Sequence, residues 1–384
     1  MTYDVSTVRT SFPALGAGLA RFDGPGGSLI PIEVAAAVSE TMTAGLGPRG
    51  TLTEPERRSE QVVADARAAM GRFLSADPRG IAFGRSMTAN TFDLARTLAA
   101  GWGPGDEVVV SRLDHDSNIR PWVLAAEAVG ATVRWLGFDP ATAELDDVRP
   151  LLSERTRLVA VTGSSNLFGT RPDVRAVADA AHEVGALVHV DAVHLAAHVP
   201  VVKDDLGADF LSCSPYKFCG PHLGVLAADP ALLESLRPAK LLPSTDAVPE
   251  RFELGTLPYE LLAGTTAAIA FLEGIGGMAA VEQHEGALLA RLLDGLAGLD
   301  HVHPCGAPAR RTPLVLMAVD GLDGAGVRAG LAEHGVLAQT GSFYALEASR
   351  HAGLGDTGGV RVGLSPYTSE DDVDRLLAGL AALG

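Results

Sequence analysis

The sequence predicts an α/β fold in which a largely parallel sheet is covered by helices on both faces. Between residues 79 and 230, short apolar runs rich in β-forming residues alternate with stretches of helical periodicity. The runs are almost continuously apolar, which is typical of parallel strands buried on both faces. In such sheets ligands bind beyond the carboxyl ends of the strands, so polar residues that follow these runs are candidates for function.

Seven apolar runs predict the strands of this sheet. They are residues 80–83, 107–110, 132–136, 157–161, 186–190, 210–212 and 224–227. Helical patterns separate most of these runs, as at residues 90–100 and 174–184. We therefore expect one large α/β domain, at residues 14–260, that holds a mostly parallel seven-stranded sheet and the binding site.

The remaining third of the chain predicts a smaller α+β domain, to which we assign residues 1–13 and 261–384. Residues 260–299 have helical periodicity, whereas residues 313–319 and 359–364 predict strands. Helices near residues 326–334 and 370–383 would cover one face of these strands. In the large domain, residues 44–58 hold three glycines and two prolines, which predict an irregular and partly mobile loop.

Charge and composition argue against several classes of partner. The 384 residues include 47 acidic and 30 basic side chains, and the net charge of −17 disfavours nucleic acids and anionic membranes. No uncharged apolar run reaches transmembrane length, and the N-terminus lacks the apolar core of a signal peptide. The three cysteines, Cys213, Cys219 and Cys305, show no metal-binding spacing and suit a reducing cytoplasm. We expect a cytoplasmic protein without a metal site.

Lysine is rare in this chain, which has three lysines beside 27 arginines. One of them, Lys217, lies in an apolar, glycine-punctuated run at residues 214–221. A buried lysine can lose its proton and act as a nucleophile or a Schiff-base partner, which an arginine cannot do. Taken alone, a lysine at a strand end is more often a side chain that reaches out to solvent.

Three other groups at predicted strand ends have the chemistry that pyridoxal 5'-phosphate (PLP) requires. Asp191 closes the strand at 186–190, where a carboxylate can keep a pyridine nitrogen protonated. Ser86, Met87 and Thr88 open the helix after residues 80–83, where free backbone N–H groups suit a phosphate. His115 follows the strand at 107–110 and could lie over the ring of the cofactor.

Each of these residues also has an ordinary structural explanation. Asp191 alone is as often a helix N-cap, Ser86 and Thr88 are more often caps than phosphate ligands, and His115 is more often a turn residue. Their common position at one edge of the predicted sheet, together with Lys217, favours a PLP site.

The same residues resemble a known family. The run at 190–194, followed by residues 214–224, is similar to the cofactor signature of class V aminotransferases, and more specifically of the cysteine desulfurase and selenocysteine lyase group. The likeness extends over nearly the whole chain. Four further segments resemble that group's ring-stacking histidine motif, asparagine turn, cross-dimer phosphate segment and arginine strand: residues 114–122, 165–170, 252–256 and 359–364.

The resemblance implies a fold-type-I PLP-dependent transferase that forms a homodimer with shared active sites. It implies catalytic roles for Lys217, which would form the Schiff base, and for His115 and Asp191. It implies cofactor contacts from Ser86, Met87, Thr88, Asn166, His194, Ser214 and Tyr216, and from Gly255 and Thr256 across the dimer interface. It also implies that Arg361 clamps the α-carboxylate of an amino-acid substrate, beside Asn166 and Tyr344.

Two departures from the family pattern bear on the reaction. His194 replaces the usual glutamine beside the cofactor hydroxyl, and the loop at residues 339–345 has no cysteine where desulfurases carry their nucleophile. We therefore expect a cysteine desulfurase-like lyase, of the β-elimination or C–S cleavage type, without a persulfide cysteine. A class V aminotransferase or epimerase acting on a small amino acid, and a PLP-binding protein repurposed for regulation, stay open as alternatives.

Three arginines in the predicted loop have two interpretations. Arg49, Arg57 and Arg58 would border the mouth of the site and could bind a second acidic group on the substrate. Solvated surface charge is the simpler explanation.

Overall fold

A computed structural model describes residues 3–384 and places a seven-stranded sheet at the centre of the fold. The strands are, in chain order, β1 (Ala20–Arg21), β2 (Ile81–Gly84), β3 (Glu107–Ser111), β4 (Thr132–Leu136), β5 (Thr156–Thr162), β6 (Leu187–Asp191), β7 (Phe210–Cys213), β8 (Gly224–Ala228), β9 (Val302–Cys305), β10 (Leu314–Val319), β11 (Val336–Leu337), β12 (Gln339–Gly341) and β13 (Gly359–Gly363). The helices are α1 (Val5–Thr10), α2 (Ile32–Thr43), α3 (Glu54–Leu74), α4 (Met87–Ala99), α5 (Arg120–Val129), α6 (Val174–Glu183), α7 (Pro230–Ser235), α8 (Tyr259–Gly274), α9 (Gly277–Leu296), α10 (Gly324–Glu333), α11 (Leu346–His351) and α12 (Glu370–Ala381).

The large sheet has the strand order β2-β8-β7-β6-β5-β3-β4. Strands β3 to β7 are parallel to one another, and β8 is antiparallel to both of its neighbours, β7 and β2. Six strands therefore run in one direction and one runs against them. Each predicted run overlaps an observed strand, and the predicted mostly parallel seven-stranded sheet is confirmed.

Helices cover both faces of this sheet because its strands are apolar on both faces. Alternate residues of β3 pack into different cores: Val109 joins the core under α3, α6 and α8, whereas Val108 and Val110 join the core under α4, α5 and α7. All three valines are fully buried. This alternation follows from the two-residue period of a strand and explains the nearly continuous hydrophobicity of the runs.

A second, antiparallel sheet has the order β12-β13-β10-β9, and helices α9, α10 and α12 cover its apolar face. The N-terminal segment is divided between the two cores. Val8 and Phe12 pack with the large sheet, while Ala20 and Phe22 pack with the second sheet. The division of the chain into residues 14–260 and residues 1–13 with 261–384 stays a prediction, and residues 1 and 2 lie outside the described part of the chain.

The helical stretch expected at residues 260–299 consists of two helices, α8 and α9, which meet at a bend of 65°. Gly276 and Gly277 form the junction and both have positive φ angles. Within residues 3–384, no single helix has the length and hydropathy needed to cross a membrane, and α8 and α9 reach that threshold only when they are counted together.

The irregular loop predicted at residues 44–58 ends earlier than expected, because α3 begins at Glu54. Thr53 and Glu56 form a capping box, in which the Thr53 backbone N–H donates to the Glu56 carboxylate at 2.9 Å. The prediction was wrong for residues 54–58 because Pro55 counted as a loop residue. Proline is tolerated in the first turn of a helix, where its missing N–H needs no partner.

Candidate active site

A cavity of about 530 Å³ lies where β2, β3, β5, β6 and β7 end. The predicted site residues that line it are Ser86, Met87, Thr88, His115, Asn166, Asp191, His194, Ser214, Tyr216, Lys217, Tyr344 and Arg361. Gly255 and Thr256 are the two predicted residues that do not line the cavity, and both are exposed. The topology thus brings together residues that are up to 275 positions apart, from Ser86 to Arg361, since the strands that precede most of them end at one edge.

Lys217 follows β7 and projects into the cavity, where its amine donates a hydrogen bond to the carbonyl of Pro25. Burial lowers the pKa of Lys217 to about 7, and the charge of Arg361 acts in the same direction, while Asp191 opposes it. A large fraction of this amine is therefore neutral near pH 7, which a nucleophile or a general base requires.

Asp191 is the last residue of β6 and only 5% exposed. Its Oδ1 accepts a hydrogen bond from the backbone N–H of Val193 at 2.9 Å. Burial raises the pKa of Asp191 to about 6, against the opposing effects of this hydrogen bond and of Lys217. A buried carboxyl of this kind favours a cationic partner, such as a protonated ring nitrogen, because the partner stabilises the ionised form.

His115 lies in the turn between β3 and α5, and the surrounding hydrogen bonds define its tautomer. The backbone N–H of Ser117 donates to Nδ1 at 3.0 Å, so Nδ1 is an acceptor and the neutral ring carries its proton on Nε2. Burial lowers the pKa of His115 to about 4, assisted by the charges of Lys217 and Arg361. The ring is therefore uncharged at neutral pH and can stack on another ring.

The N-terminus of α4 lies at one end of the cavity. Ser86 is the N-cap, and its hydroxyl accepts from the Ala89 backbone N–H at 3.1 Å. The first N–H groups of a helix have no partner within the helix and suit a phosphate. Gly224 of β8 packs against this turn: a Cβ at Gly224 would lie 2.1 Å from the carbonyl carbon of Ser86 and 2.5 Å from the nitrogen of Met87. Gly224 was not among the predicted site residues, although a glycine within a predicted strand is a signal of close backbone approach.

Arg361 lies in the middle of β13 and is 4% exposed. Its guanidinium donates to the carbonyl of Asn166 at 2.7 Å, and its central carbon lies 3.6 Å from the centroid of the Phe343 ring. Burial lowers the pKa of Arg361 to about 9. Because the guanidinium bonds a carbonyl and no carboxylate among residues 3–384, its charge stays available for an anionic ligand.

Residues 341–345, which we term the aromatic loop, close one side of the cavity. Phe343 and Tyr344 have φ angles of 52° and 59°, in the left-handed region that side chains other than glycine rarely adopt. The Phe343 carbonyl accepts from the side-chain amide of Asn166 at 2.9 Å, and the Tyr344 carbonyl accepts from the backbone of Asp116 at 2.7 Å. These two bonds hold a strained backbone in place. Sequence reasoning missed the contact of Phe343 with Arg361, because no local pattern specifies it.

The cysteines of the chain lie away from the cavity lining. Cys213 and Cys219 are fully buried, and burial raises the pKa of both thiols, that of Cys219 to about 12. Cys305 lies on β9 in the second sheet. All three side chains are therefore poor candidates for a nucleophile in this cavity.

Arg49, Arg57 and Arg58 also lie outside the cavity lining. Arg49 pairs with Glu60 at 2.7 Å and with Glu250 at 3.3 Å, and the other two arginines pair with Glu54. These contacts favour the surface-charge interpretation of the three arginines.

The residues present fit PLP. Asn166 Oδ1 and His194 Nε2 are buried and have no hydrogen-bond partner within residues 3–384, which is costly unless a ligand or water satisfies them. The same cavity holds a helix N-terminus for a phosphate, a buried carboxyl for a ring nitrogen and a neutral amine for an aldehyde. The fold and the site together define a PLP-dependent enzyme of the α/β class.

Residues 21–376 match the family model described as Aminotransferase class-V, and the chain belongs to this family of PLP-dependent enzymes. The protein named Probable cysteine desulfurase 2 of Mycobacterium leprae is 32% identical over 98% of this chain and 96% of its own length. Aminotransferase-like protein FGM3 of Gibberella zeae is 31% identical over 99% of this chain and 98% of its own. The crystal structure of the cysteine desulfurase CsdA of Escherichia coli superimposes with a TM-score of 0.90 at 26% identity, covering 100% of this chain and 98% of that one.

These comparisons confirm the predicted family, the fold-type-I architecture and the cofactor. The roles of the individual site residues stay predictions, since the comparisons do not test them one by one.

Proposed function

We propose that this protein is a PLP-dependent lyase that deprotonates an amino acid at Cα and breaks a bond at Cβ, of the C–S or a related type. The observation that carries the proposal is the presence of a half-buried amine and a buried guanidinium in one cavity. Lys217 is an amine with a pKa of about 7, and Arg361 is a guanidinium that bonds no carboxylate in the part of the chain that the structure describes. A neutral base beside an unneutralised cation suits an anionic substrate that must lose a proton.

Arg361 binds the α-carboxylate of the substrate through two parallel hydrogen bonds, a geometry that a planar guanidinium favours. Asn166 and Tyr344 also line the cavity and would border the substrate. Lys217 then takes the proton from Cα as the general base.

PLP, when bound, supplies an electron sink for the electron pair that the departing Cα proton leaves behind. Asp191 would hold its ring nitrogen and His115 would contact its ring, while His194 and Asn166 would bond its ring oxygen. The residues assigned to its phosphate and its surroundings are Ser86, Met87, Thr88, Ser214 and Tyr216, with Gly255 and Thr256 of the partner subunit.

The proposal of a lyase without an enzyme thiol rests on the aromatic loop. Phe343 and Tyr344 occupy this wall, and the three cysteines lie elsewhere. β-Elimination needs no sulfur nucleophile: the Cα proton goes to Lys217, the Cβ–S bond breaks, and the sulfur leaves with the bonding electrons and takes up a proton. Hydrolysis of the remaining fragment gives a keto acid and ammonia.

Transamination, or epimerisation, of a small amino acid is the second candidate. It is favoured by the relative named as aminotransferase-like, whose identity to this chain is almost equal to that of the relative named as a desulfurase. A protein that binds PLP but catalyses no reaction is the third.

Product analysis on a panel of amino acids separates these candidates. We expect keto acid and ammonia without any added keto-acid acceptor, and no product from Lys217→Ala. Strict dependence on an acceptor would instead establish transamination, and racemised substrate alone would establish epimerisation. If no amino acid in the panel gave a product or altered the visible spectrum of the bound cofactor, the protein would be a PLP-binding protein without catalytic activity. A persulfide formed on the protein would contradict the thiol-free mechanism.

We also propose a cytoplasmic homodimer. Gly255 and Thr256 are exposed and away from their own cavity, which suits residues that act in a neighbouring subunit. The three free cysteines suit a reducing compartment, and the net charge of −17 disfavours nucleic acid and anionic membranes as partners.

A further inference from the structure

A buried histidine–glutamate pair lies behind the cavity and has no part in the chemistry proposed above. His198 and Glu285 are 4% and 0% exposed, and neither side chain lines the cavity. His198 follows the short turn at Leu195–Ala197, after β6, whereas Glu285 lies on α9, which covers the second sheet. The pair therefore joins the edge of the large sheet to a helix from the C-terminal part of the chain.

The pair is in contact with a residue that does line the cavity. The ring of His198 packs against that of His194 with the centroids 4.6 Å apart and the planes at 73°. On its other side, His198 Nδ1 lies 2.8 Å from Glu285 Oε2. Glu285, His198 and His194 thus form a continuous line from α9 to the cavity, and His194 is itself 3% exposed.

Burying the carboxyl group of Glu285 in this position costs free energy. Glu285 is completely buried, and its second oxygen, Oε1, has no hydrogen-bond partner within residues 3–384. Burial raises the pKa of Glu285, while His198 acts in the opposite direction. Replacing a buried polar pair by apolar side chains is often neutral or stabilising, so stability alone does not account for this one.

The hydrogen bond to Glu285 has a geometric consequence. An imidazole anchored at Nδ1 can no longer rotate freely, so the plane of the His198 ring is fixed. The ring of His194 packs on that plane and is fixed in turn. His194 Nε2 is buried and makes no hydrogen bond in the described part of the chain. Its orientation at the cavity wall therefore depends on packing.

We propose that His198 and Glu285 are positioning residues, which orient His194 so that its imidazole can hydrogen-bond the ring oxygen of PLP. This inference rests on the proposed function, because it takes His194 as a cofactor contact. It extends the site by two residues that touch neither cofactor nor substrate, and it gives α9 a role in cofactor binding.

A double-mutant cycle on cofactor affinity tests the proposal. The dissociation constant of PLP is measured by absorbance titration of the cofactor-free protein, for the unchanged chain, His194→Ala, His198→Asn and the double variant. We expect His198→Asn to weaken binding about tenfold in the unchanged chain and by less than about twofold when His194 is already alanine. The same factor in both backgrounds, or no effect in either, overturns the proposal.

Variants at Glu285 provide a second, independent comparison. Glu285→Leu removes the anchoring bond without leaving a buried charge, and we expect it to weaken PLP binding as His198→Asn does. Glu285→Gln keeps an oxygen that can accept from His198 and should bind PLP almost as tightly as the unchanged chain. Equal affinities for the leucine and glutamine variants would contradict the positioning role.

The matched control is Glu282→Gln, one turn earlier on α9, where the carboxylate pairs with Arg171. We expect it to leave the dissociation constant unchanged. Thermal unfolding of each cofactor-free variant shows whether it is folded. If the unchanged chain binds no PLP, the proposed function fails; if it binds PLP but the cycle is additive, only the positioning role fails.

Discussion

At Lys217, folding places an amine where its protonated form is disfavoured. Its pKa falls from 10.5 in the unfolded chain to about 7, chiefly through burial, so the unfolded state binds more protons between these two values. The free energy by which this amine destabilises the folded state is largest below pH 7, decreases as the pH rises and vanishes above pH 10.5. The residue that the chemistry needs is therefore a source of instability in the cofactor-free protein.

A pH series on Lys217→Met tests this penalty. Methionine has a similar shape and no charge, so we expect the cofactor-free variant to have a higher unfolding midpoint than the unchanged chain below pH 7. The difference should narrow between pH 7 and 10.5, as the lysine loses its proton in both states. Thermal unfolding of both proteins across this range is the measurement. A difference that does not vary with pH would exclude burial of the amine as its cause.

Two further variants at Lys217 separate charge from nucleophilicity. We expect both Lys217→Ala and Lys217→Arg to lose the visible absorption of the lysine-bound cofactor, because arginine keeps its charge but cannot become a neutral amine. Absorption spectra with added PLP, together with reductive trapping by borohydride and mass spectrometry, give the readout. A trapped adduct on Lys203 or Lys240 in the unchanged chain would show that Lys217 is not the lysine that binds the cofactor.

Among the secondary-structure elements, β8 and α4 depend on each other at a single glycine. Gly224→Ala would place a Cβ 2.1 Å from the carbonyl carbon of Ser86. The atoms that this Cβ would meet belong to the backbone of Ser86 and Met87, which has little freedom to move. We expect α4 to shift, with a loss of about 1–3 kcal/mol in unfolding free energy and weaker PLP binding. Denaturant unfolding and PLP titration measure the two effects.

The control for this variant is Gly286→Ala on α9, where a Cβ would meet nothing within 4 Å. We expect it to raise the unfolding free energy by about 0.5–1 kcal/mol, since alanine is the better helix residue. Its affinity for PLP should not change. If Gly224→Ala bound PLP with the affinity of the unchanged chain, the start of α4 would tolerate displacement, and the predicted loss of PLP binding would be wrong.

Helices and strands of the large sheet could be predicted from the sequence because their signals are local. Strands such as β5 and β6 are short apolar runs. Asp191 ends β6 and Ser86 lies two residues beyond β2, and the ends of these strands share one edge of the sheet. The aromatic loop could not be predicted in this way. Its left-handed backbone depends on Asn166 and Asp116, which are 177 and 228 positions away along the chain from their partners Phe343 and Tyr344. Such contacts exist only once the two sheets have come together.

For the molecule as a whole, the proposed homodimer makes each cavity depend on two chains. A hybrid of Lys217→Ala and Thr256→Glu subunits should contain one site with both defects and one site with neither. We expect about one PLP per hybrid dimer, since the added carboxylate repels phosphate only in the cavity that it faces. Differently tagged subunits, purified as a hybrid of about twice the 39.7 kDa chain mass, allow the cofactor to be counted.

The two parent homodimers are the controls for the hybrid. Lys217→Ala should hold no covalently bound PLP, and Thr256→Glu should hold it weakly. A hybrid that binds no more PLP than the parents would mean that each cavity is complete within one chain. A monomer in solution would have the same meaning.

The second sheet links Arg361 to the aromatic loop. Gln339 lies opposite Arg361 in the pairing of β12 with β13, and β12 leads directly into residues 341–345. We therefore expect a change in the aromatic loop to affect Arg361 as well. A loop taken from a relative would change the position of the Arg361 guanidinium. A substrate that moves this guanidinium on binding would move the loop as well. A redesign of this wall of the cavity should therefore treat residues 339–363 as one unit.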